Sequence, residues 1–399
     1  MKILIVSQDK PYPPLSGSRV IAYNWAKVMG QEHLVAQIFF GTNRDLEDIE
    51  KNMEMVRTSR AVRPEPIDRY FRKTKMLFSS YPTSFGNRNW QKMCKCLMKL
   101  KSKFKWDVAF YIHSNCIRIS SYIDIKHTLP GKNVVVPIDS RTLNLKKRIK
   151  SGESMLRKMY YKREISKWKH VYRKEIKNFD SSLFVSKEDK KNVENYVPEG
   201  NDHEVYYANN GVDTKYYDPS NVDSMNLNGD STTLVFSGSM KSKQSIEAVQ
   251  KFTAVYRKLK ENLNIKWYIV GKEPSKTVKS LGNKYEGVVV TGYVSDIRPY
   301  LKCADVYVAP MVSGTGVKNR VLEAMSMKCC VLVTTEGLWS SDTELPVVAV
   351  NTVPEMEKMV KKLDEDRKLR KNIGEKARRY VHSKYRWKRQ VEKAIGLAI

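Results

Sequence analysis

Short apolar runs alternate with helical stretches along this chain, and the whole alternation occurs twice. The first series holds "KILIV" (Lys2–Val6), "HLVAQIFF" (His33–Phe40), "DVAFYIH" (Asp107–His113), "NVVVPID" (Asn133–Asp139) and "SSLFVS" (Ser181–Ser186). Each run is rich in β-branched or aromatic residues and is too short for a buried helix. That is the pattern of a parallel strand covered on both faces. Asn, Gly, Asp and Pro then cluster in "EVYYANNGVDTKYYDP" (Glu204–Pro219), as a linker requires. The second series follows: "TTLVFSG", the helical "SIEAVQKFTAVYRKL", "IKWYIVG", "GVVVTGYV", the short helix "IRPYLKCA", "DVYVAPM", the helix "RVLEAMSM" and "CCVLVTT". From Val353 to Ile399 the chain is helical and rich in Lys and Arg.

Strand–helix alternation of this kind specifies a doubly wound α/β sheet. Two series in 399 residues specify two Rossmann-like domains. The expected division is residues 1–203 plus 380–399 for the first and 204–379 for the second. Ligands in such sheets bind beyond the carboxyl ends of the strands, so two sheets facing each other define a cleft lined by strand-end loops.

Three of those loops carry chemistry. In "APMVSGTGVKNRVLEAMSM" (Ala309–Met327) a strand passes through Gly314 and Gly316 into a helix. Glycines let backbone N–H groups approach a ligand, and a helix N-terminus favours a phosphate. Lys318 adds a full charge, and Asn319 and Glu323, four apart, share a helix face. A carboxylate that far along suits a vicinal diol such as a ribose, and the set describes a nucleoside diphosphate. On these residues alone a solvent loop with a surface glutamate is the alternative. The second loop, "LVFSGSMKSKQSIEAV" (Leu234–Val249), places Gly238, Lys241 and Lys243 between strand and helix, where the lysines reach a phosphate or are merely solvated. The third, "PPLSGSR" (Pro13–Arg19), presents Gly17 and Ser18 to a ligand or forms a plain turn. His113 and Asp139 end two first-domain strands and either touch substrate or serve the strand ends. No G-x-x-x-x-G-K-[ST] loop occurs, and no G-x-G-x-x-G follows the first strand, which argues against a nicotinamide dehydrogenase.

The ordered pieces "MKILIVSQDKPYPPLSGS", "YYANNGVDTKYYDP", "FSGSMKSKQSIEAV", "WYIVGKEPS", "VVVTGYVSDIRPYLKCADVYVAPM" and "SGTGVKNRVLEAMSM" resemble GT-B glycosyltransferases, in particular the retaining enzymes of family 4. The resemblance covers nearly the whole chain and is strongest over residues 181–335. It implies the GT-B fold and transfer of a sugar from a nucleotide-diphosphate donor, as by a hexosyltransferase. It also implies roles. Gly316 and Val317 offer N–H groups to the diphosphate, and Lys241 or Lys243 supplies the phosphate-binding cation. The base lies near Val294, and Glu323 holds the ribose. The family's helix carries a second glutamate eight residues earlier; here that position is Thr315, a departure that leaves the donor sugar open. The leaving group's charge is then met by lysines and N–H groups without a metal or cofactor. A nucleotide-sugar epimerase of the same fold and a non-catalytic, membrane-docking nucleotide-binding module are the alternatives.

The formal net charge is +29. Arg88–Lys105 holds seven Lys/Arg and no acid, with Trp90, Met93, Leu97, Leu100 and Phe104 at helical spacing. Arg141–Lys177 holds fourteen Lys/Arg and three Glu, with the stripe Ile165, Trp168, Tyr172, Ile176. Each stripe faces either the core or an anionic bilayer. The expected partners are a nucleotide sugar, a glycan or lipid-linked acceptor and an anionic membrane surface. Nucleic acid is not expected, because no recognition signature for it occurs. No metal-ligand spacing occurs among the six cysteines and six histidines. Scattered cysteines, an N-terminus without a signal-peptide pattern and the absence of an 18-residue apolar window lead to a cytoplasmic protein, peripheral on the inner face of the membrane.

Overall fold

The computed structural model describes residues 1–15, 17–64, 67–150, 154–200, 202–225, 227, 229–312, 319–338 and 345–399. The chain forms two compact units, Met1–Asn210 with Trp387–Ile399, and Gly211–Arg386.

The first unit is built on seven strands: β1 (Lys2–Ser7), β2 (Leu34–Phe40), β3 (Val56–Val62), β4 (Val108–Ile112), β5 (Lys132–Ile138), β6 (Ser181–Phe184) and β7 (Glu204–Tyr207). Their order is β3-β2-β1-β4-β5-β6-β7, and every pairing is parallel. Ile3 sits opposite Val35 on one side and Val108 on the other. Alternate side chains of β1 enter different cores: Ile3 and Ile5 join Trp25 and Phe110, whereas Leu4 and Val6 join Trp90 and Trp168. This two-sided burial is why the strand has no polar alternation. Two strands of this sheet escaped the sequence reading. β3, "VRTSRAV", is a half-exposed edge strand with no apolar run. β7 lies inside the expected linker and pairs with β6, so residues 204–207 complete the first sheet.

The second unit carries β8 (Thr232–Ser237), β9 (Ile265–Val270), β10 (Val288–Gly292), β11 (Val306–Ala309), β12 (Cys330–Val333) and β13 (Val348–Ala349), in the order β10-β9-β8-β11-β12-β13. The strand order reverses between β1 and β4 in one sheet and between β8 and β11 in the other. Those reversals are where open α/β sheets take ligands.

The helix Trp387–Ala398 returns to the first unit. Trp387, Val391, Ala394 and Ala398 pack into the core that holds Ile21 and Trp25. The preceding helix, Arg367–Lys384, stays with the second unit because Ala377, Val381 and Tyr385 are buried in its core. The division therefore falls after Arg386, not at 380. Both basic stretches turn their apolar stripes inward. Trp90, Met93, Leu97 and Leu100 on the helix Trp90–Lys101, and Trp168, Tyr172 and Ile176, are all core residues. No helix among the described residues is long and apolar enough to cross a membrane.

Candidate functional site

The second unit's constellation forms where its strand order reverses. Gly238 follows β8 with φ 149°, a conformation that side chains rarely adopt. Its missing side chain makes room for an arginine: a Cβ at 238 would lie 2.6 Å from Nη1 of Arg320. Arg320 is the second residue of the helix Asn319–Ser326, which lies beyond β11. Its Nη1 donates to Ser245 Oγ at 3.2 Å, and its guanidinium lies 5.6 Å from the Phe236 ring centroid. Ser245 is buried and accepts from Arg320 while its backbone N–H caps onto Ser242 at 3.2 Å. The cation is thus pinned between the first turns of two helices, at the carboxyl ends of β8 and β11.

One turn further along, Glu323 is half-buried and hydrogen-bonds the Tyr217 hydroxyl. Burial raises its pKa to about 7, against the opposing pull of the Arg320 charge and the Tyr217 hydrogen bond. Burial also drives the Tyr217 phenol well above its ordinary value, and the Glu323 carboxylate adds to that. Below them Tyr307 shares a hydrogen bond of 2.9 Å with Ser237, the last residue of β8. Val294 is half-buried and packs on the same apolar cluster as Tyr217. Beside it Arg298 clasps Asp296 and stacks 3.9 Å from the Tyr216 ring centroid. The segment expected to hold a base is therefore fixed against the segment that orients Glu323.

Three glycines join the strand ends. Gly238 N–H donates to Val270 O at 3.0 Å, and Gly271 N–H donates to Gly292 O at 3.0 Å. The approach is so close that a Cβ on Gly271 would lie 1.7 Å from Gly238 O.

The expected lysines are exposed, and each lies near a glutamate. Lys241 is exposed and lies 3.6 Å from Glu273. Lys243 opens the helix Lys243–Lys260 and lies 3.9 Å from Glu247 of the same helix. Gly314, Thr315, Gly316, Val317 and Lys318 lie outside the described residues. Asn319 and Glu323 share the helix, as their spacing requires. Sequence reasoning missed Arg320 and Tyr217. Arg320 stood two residues from a lysine that already filled the cation's role, and Tyr217 stood in a stretch taken for linker.

In the first unit, His113 follows β4 with φ 109°. Its Nδ1 accepts the Asn115 N–H at 3.1 Å, and Nη2 of Arg141 lies 3.0 Å from Nε2. Burial, then the charges of Arg141 and Arg88, hold its pKa well below the ordinary histidine value. An uncharged imidazole accepts at one nitrogen only, so Asn115 and Arg141 compete for it. Asp139 follows β5 and accepts from Asn144 Nδ2 at 2.7 Å, with its other oxygen 3.6 Å from Arg141 Nε. Arg141 thereby links the two expected residues. His113, Arg141 and Asn144 line a cavity of about 380 Å³, with Lys73, Arg148 and Tyr160 among its other walls. Gly17 and Ser18 begin the helix Gly17–Met29, and a Cβ at Gly17 would meet nothing within 4 Å. Behind them Arg19 has Nε and Nη2 buried without hydrogen-bond partners. Among the described residues no group of three His, Cys, Asp or Glu side chains is placed to hold a metal ion.

The architecture is the GT-B fold of glycosyltransferases, and residues 231–366 match the family model described as Glycosyl transferases group 1. That match spans the loop with Gly238, the helix with Arg320 and Glu323, and everything between. The chain is similar in structure to a sucrose-phosphate synthase from Thermosynechococcus elongatus, with TM-score 0.72 and 14% identity over 100% of this chain and 98% of that one. It is similar also to a glycosyltransferase from Rickettsia africae, with TM-score 0.65 and 15% identity over 100% and 97% of the two chains. A third is Anabaena HepE in complex with UDP, with TM-score 0.67 and 12% identity over 99% and 100%. No curated protein matches the chain in sequence.

Proposed function

We propose that the protein is a retaining glycosyltransferase that moves a hexose from a nucleotide-diphosphate sugar to a glycan or lipid-linked acceptor. One observation carries the donor side: Arg320 pinned over Gly238, with Glu323 one helical turn away on the Tyr217 hydroxyl. A guanidinium between two helix N-termini suits a diphosphate. A carboxylate held beside it suits the ribose diol. Solved proteins of similar fold, such as Anabaena HepE, hold UDP or UDP-glucose, which supports a nucleotide sugar as ligand.

As the donor bond breaks, negative charge grows on the departing diphosphate. Arg320 and the N–H groups at the start of its helix lower the energy of that charge. Lys318, with Gly316 and Val317 before the same helix, adds to them, so the reading asks for no metal or cofactor. Glu323 fixes the nucleoside, and the stretch around Val294 receives the base. On the acceptor side His113 and Arg141 are available at the cavity wall, and the uncharged ring has a single accepting nitrogen for which the Asn115 N–H and the Arg141 guanidinium compete. The basic charge supports work at the inner face of an anionic membrane.

The test is nucleotide release from a panel of nucleotide sugars, with and without membrane extract. Acceptor-dependent release is the expected outcome. Interconversion of free donors identifies an epimerase, and binding without turnover identifies a non-catalytic module.

A further inference from the structure

Tyr70, Phe71, Phe78, Met155, Leu156 and Met159 are between 58% and 86% exposed. They are not scattered. Phe71 lies on the helix Ile67–Leu77, and Phe78 lies just beyond its end. Met155 and Met159 stand four apart at the start of the helix Met155–Lys174, with Leu156 beside them. The two helices touch where Lys167 Nζ donates to the carbonyls of Met76 and Leu77 at 2.6 and 3.3 Å, and Lys73 of the first and Tyr160 of the second line one cavity. Water-facing aromatic and thioether side chains in such a group mark an interaction surface.

The surrounding charge identifies the partner. Arg69, Lys75, Arg157 and Lys162 are exposed on the same two helices. The first helix has a single acid, Asp68, which Arg72 approaches to 3.8 Å. The second has none before Glu164, which is buried and accepts from Thr83. Large exposed apolar side chains with exposed cations on the same two helices match the layered chemistry of an anionic bilayer, with acyl chains inside and phosphates outside. A protein groove for an amphipathic helix would face the same apolar groups but would not need the exposed cations that accompany them.

We propose that these two helix faces dock on an anionic lipid bilayer. The surface is not the one that the basic stripes suggested, because those stripes are core. Lys73 and Tyr160, on these helices, also line the cavity with His113 and Arg141. Docking therefore brings phospholipid headgroups to the cavity mouth, and the further step, that a lipid-linked acceptor enters there, rests on the glycosyl-transfer reading.

The test is flotation of the full-length protein with vesicles of phosphatidylcholine alone or with about one third phosphatidylglycerol. The protein is expected to float with the anionic vesicles only, and to be released by about 0.5 M salt. Phe71→Ser with Phe78→Ser, and separately Leu156→Ser with Met159→Ser, is each expected to weaken binding at least about tenfold. Nucleoside-diphosphate binding, followed by thermal shift, stays unchanged in both variants, which separates this proposal from the donor reading. Wild-type protein left in solution with both vesicle types overturns it. So does undiminished flotation of both folded variants, or a wild-type dimer that the same substitutions dissociate.

Discussion

At residue scale, Arg320 decides between two accounts of the phosphate cation. If its guanidinium meets the diphosphate, Arg320→Ala weakens nucleoside-diphosphate binding by about 1.5–3 kcal/mol, because a charge-assisted hydrogen bond is lost. Lys241→Ala and Lys243→Ala together cost less than about 1 kcal/mol, as expected for exposed ion pairs. Calorimetric titration measures both, and the reverse ranking would return the role to the lysines. Glu323 gives a pH signature. With its pKa near 7, the carboxylate is mostly protonated at pH 6 and mostly ionised at pH 8, so diol binding is roughly tenfold tighter at pH 8. Stability runs the other way. The folded protein holds this proton more tightly than the unfolded chain, so stability falls as pH rises from about 4.5 to about 7. Glu323→Gln is therefore expected to raise Tm at pH 8, with little change at pH 5, while weakening nucleotide binding. Scanning fluorimetry at the two pH values, alongside titration, checks both signs.

The strand-end glycines act at the scale of elements. Gly271 has φ 155° and no space for a Cβ against Gly238 O. Gly271→Ala must push β8 and β9 apart at their carboxyl ends, at a cost of about 3 kcal/mol or more. Denaturant unfolding shows the loss, and nucleotide binding falls with it because Gly238 shares the displaced backbone. The elements also show where sequence reading succeeds. Strands buried on both faces, such as β1 and β8, carry continuous apolar runs and were legible. β3 and β7 at the sheet's two edges carry no such run, since one side of an edge strand lacks a partner. The helix Trp90–Lys101 shows the limit of periodicity: its stripe has the same spacing whether it faces a bilayer or a core.

For the whole molecule, connectivity makes the units unequal. The second unit is one continuous segment, Gly211–Arg386, whose ends meet where Val212 bridges Arg386. Expressed alone it is expected to unfold cooperatively and to retain nucleotide binding. The first unit is completed only by Trp387–Ile399. Removing that segment strips Trp387 and Val391 from the core and costs on the order of 4 kcal/mol. Full-length protein truncated after Arg386 is therefore expected to aggregate or to lose the first unit's thermal transition.

Taken alone, the sequence determined the two α/β units, the glycines at the strand ends and a carboxylate one turn into a helix. Those are consequences of local periodicity and backbone sterics, which neighbouring residues set. Only the tertiary structure pinned Arg320 over Gly238, placed Tyr217 on Glu323 and put Phe71 and Leu156 in water. Those outcomes depend on which side chains meet across distant strands, and spacing along the chain does not encode that meeting.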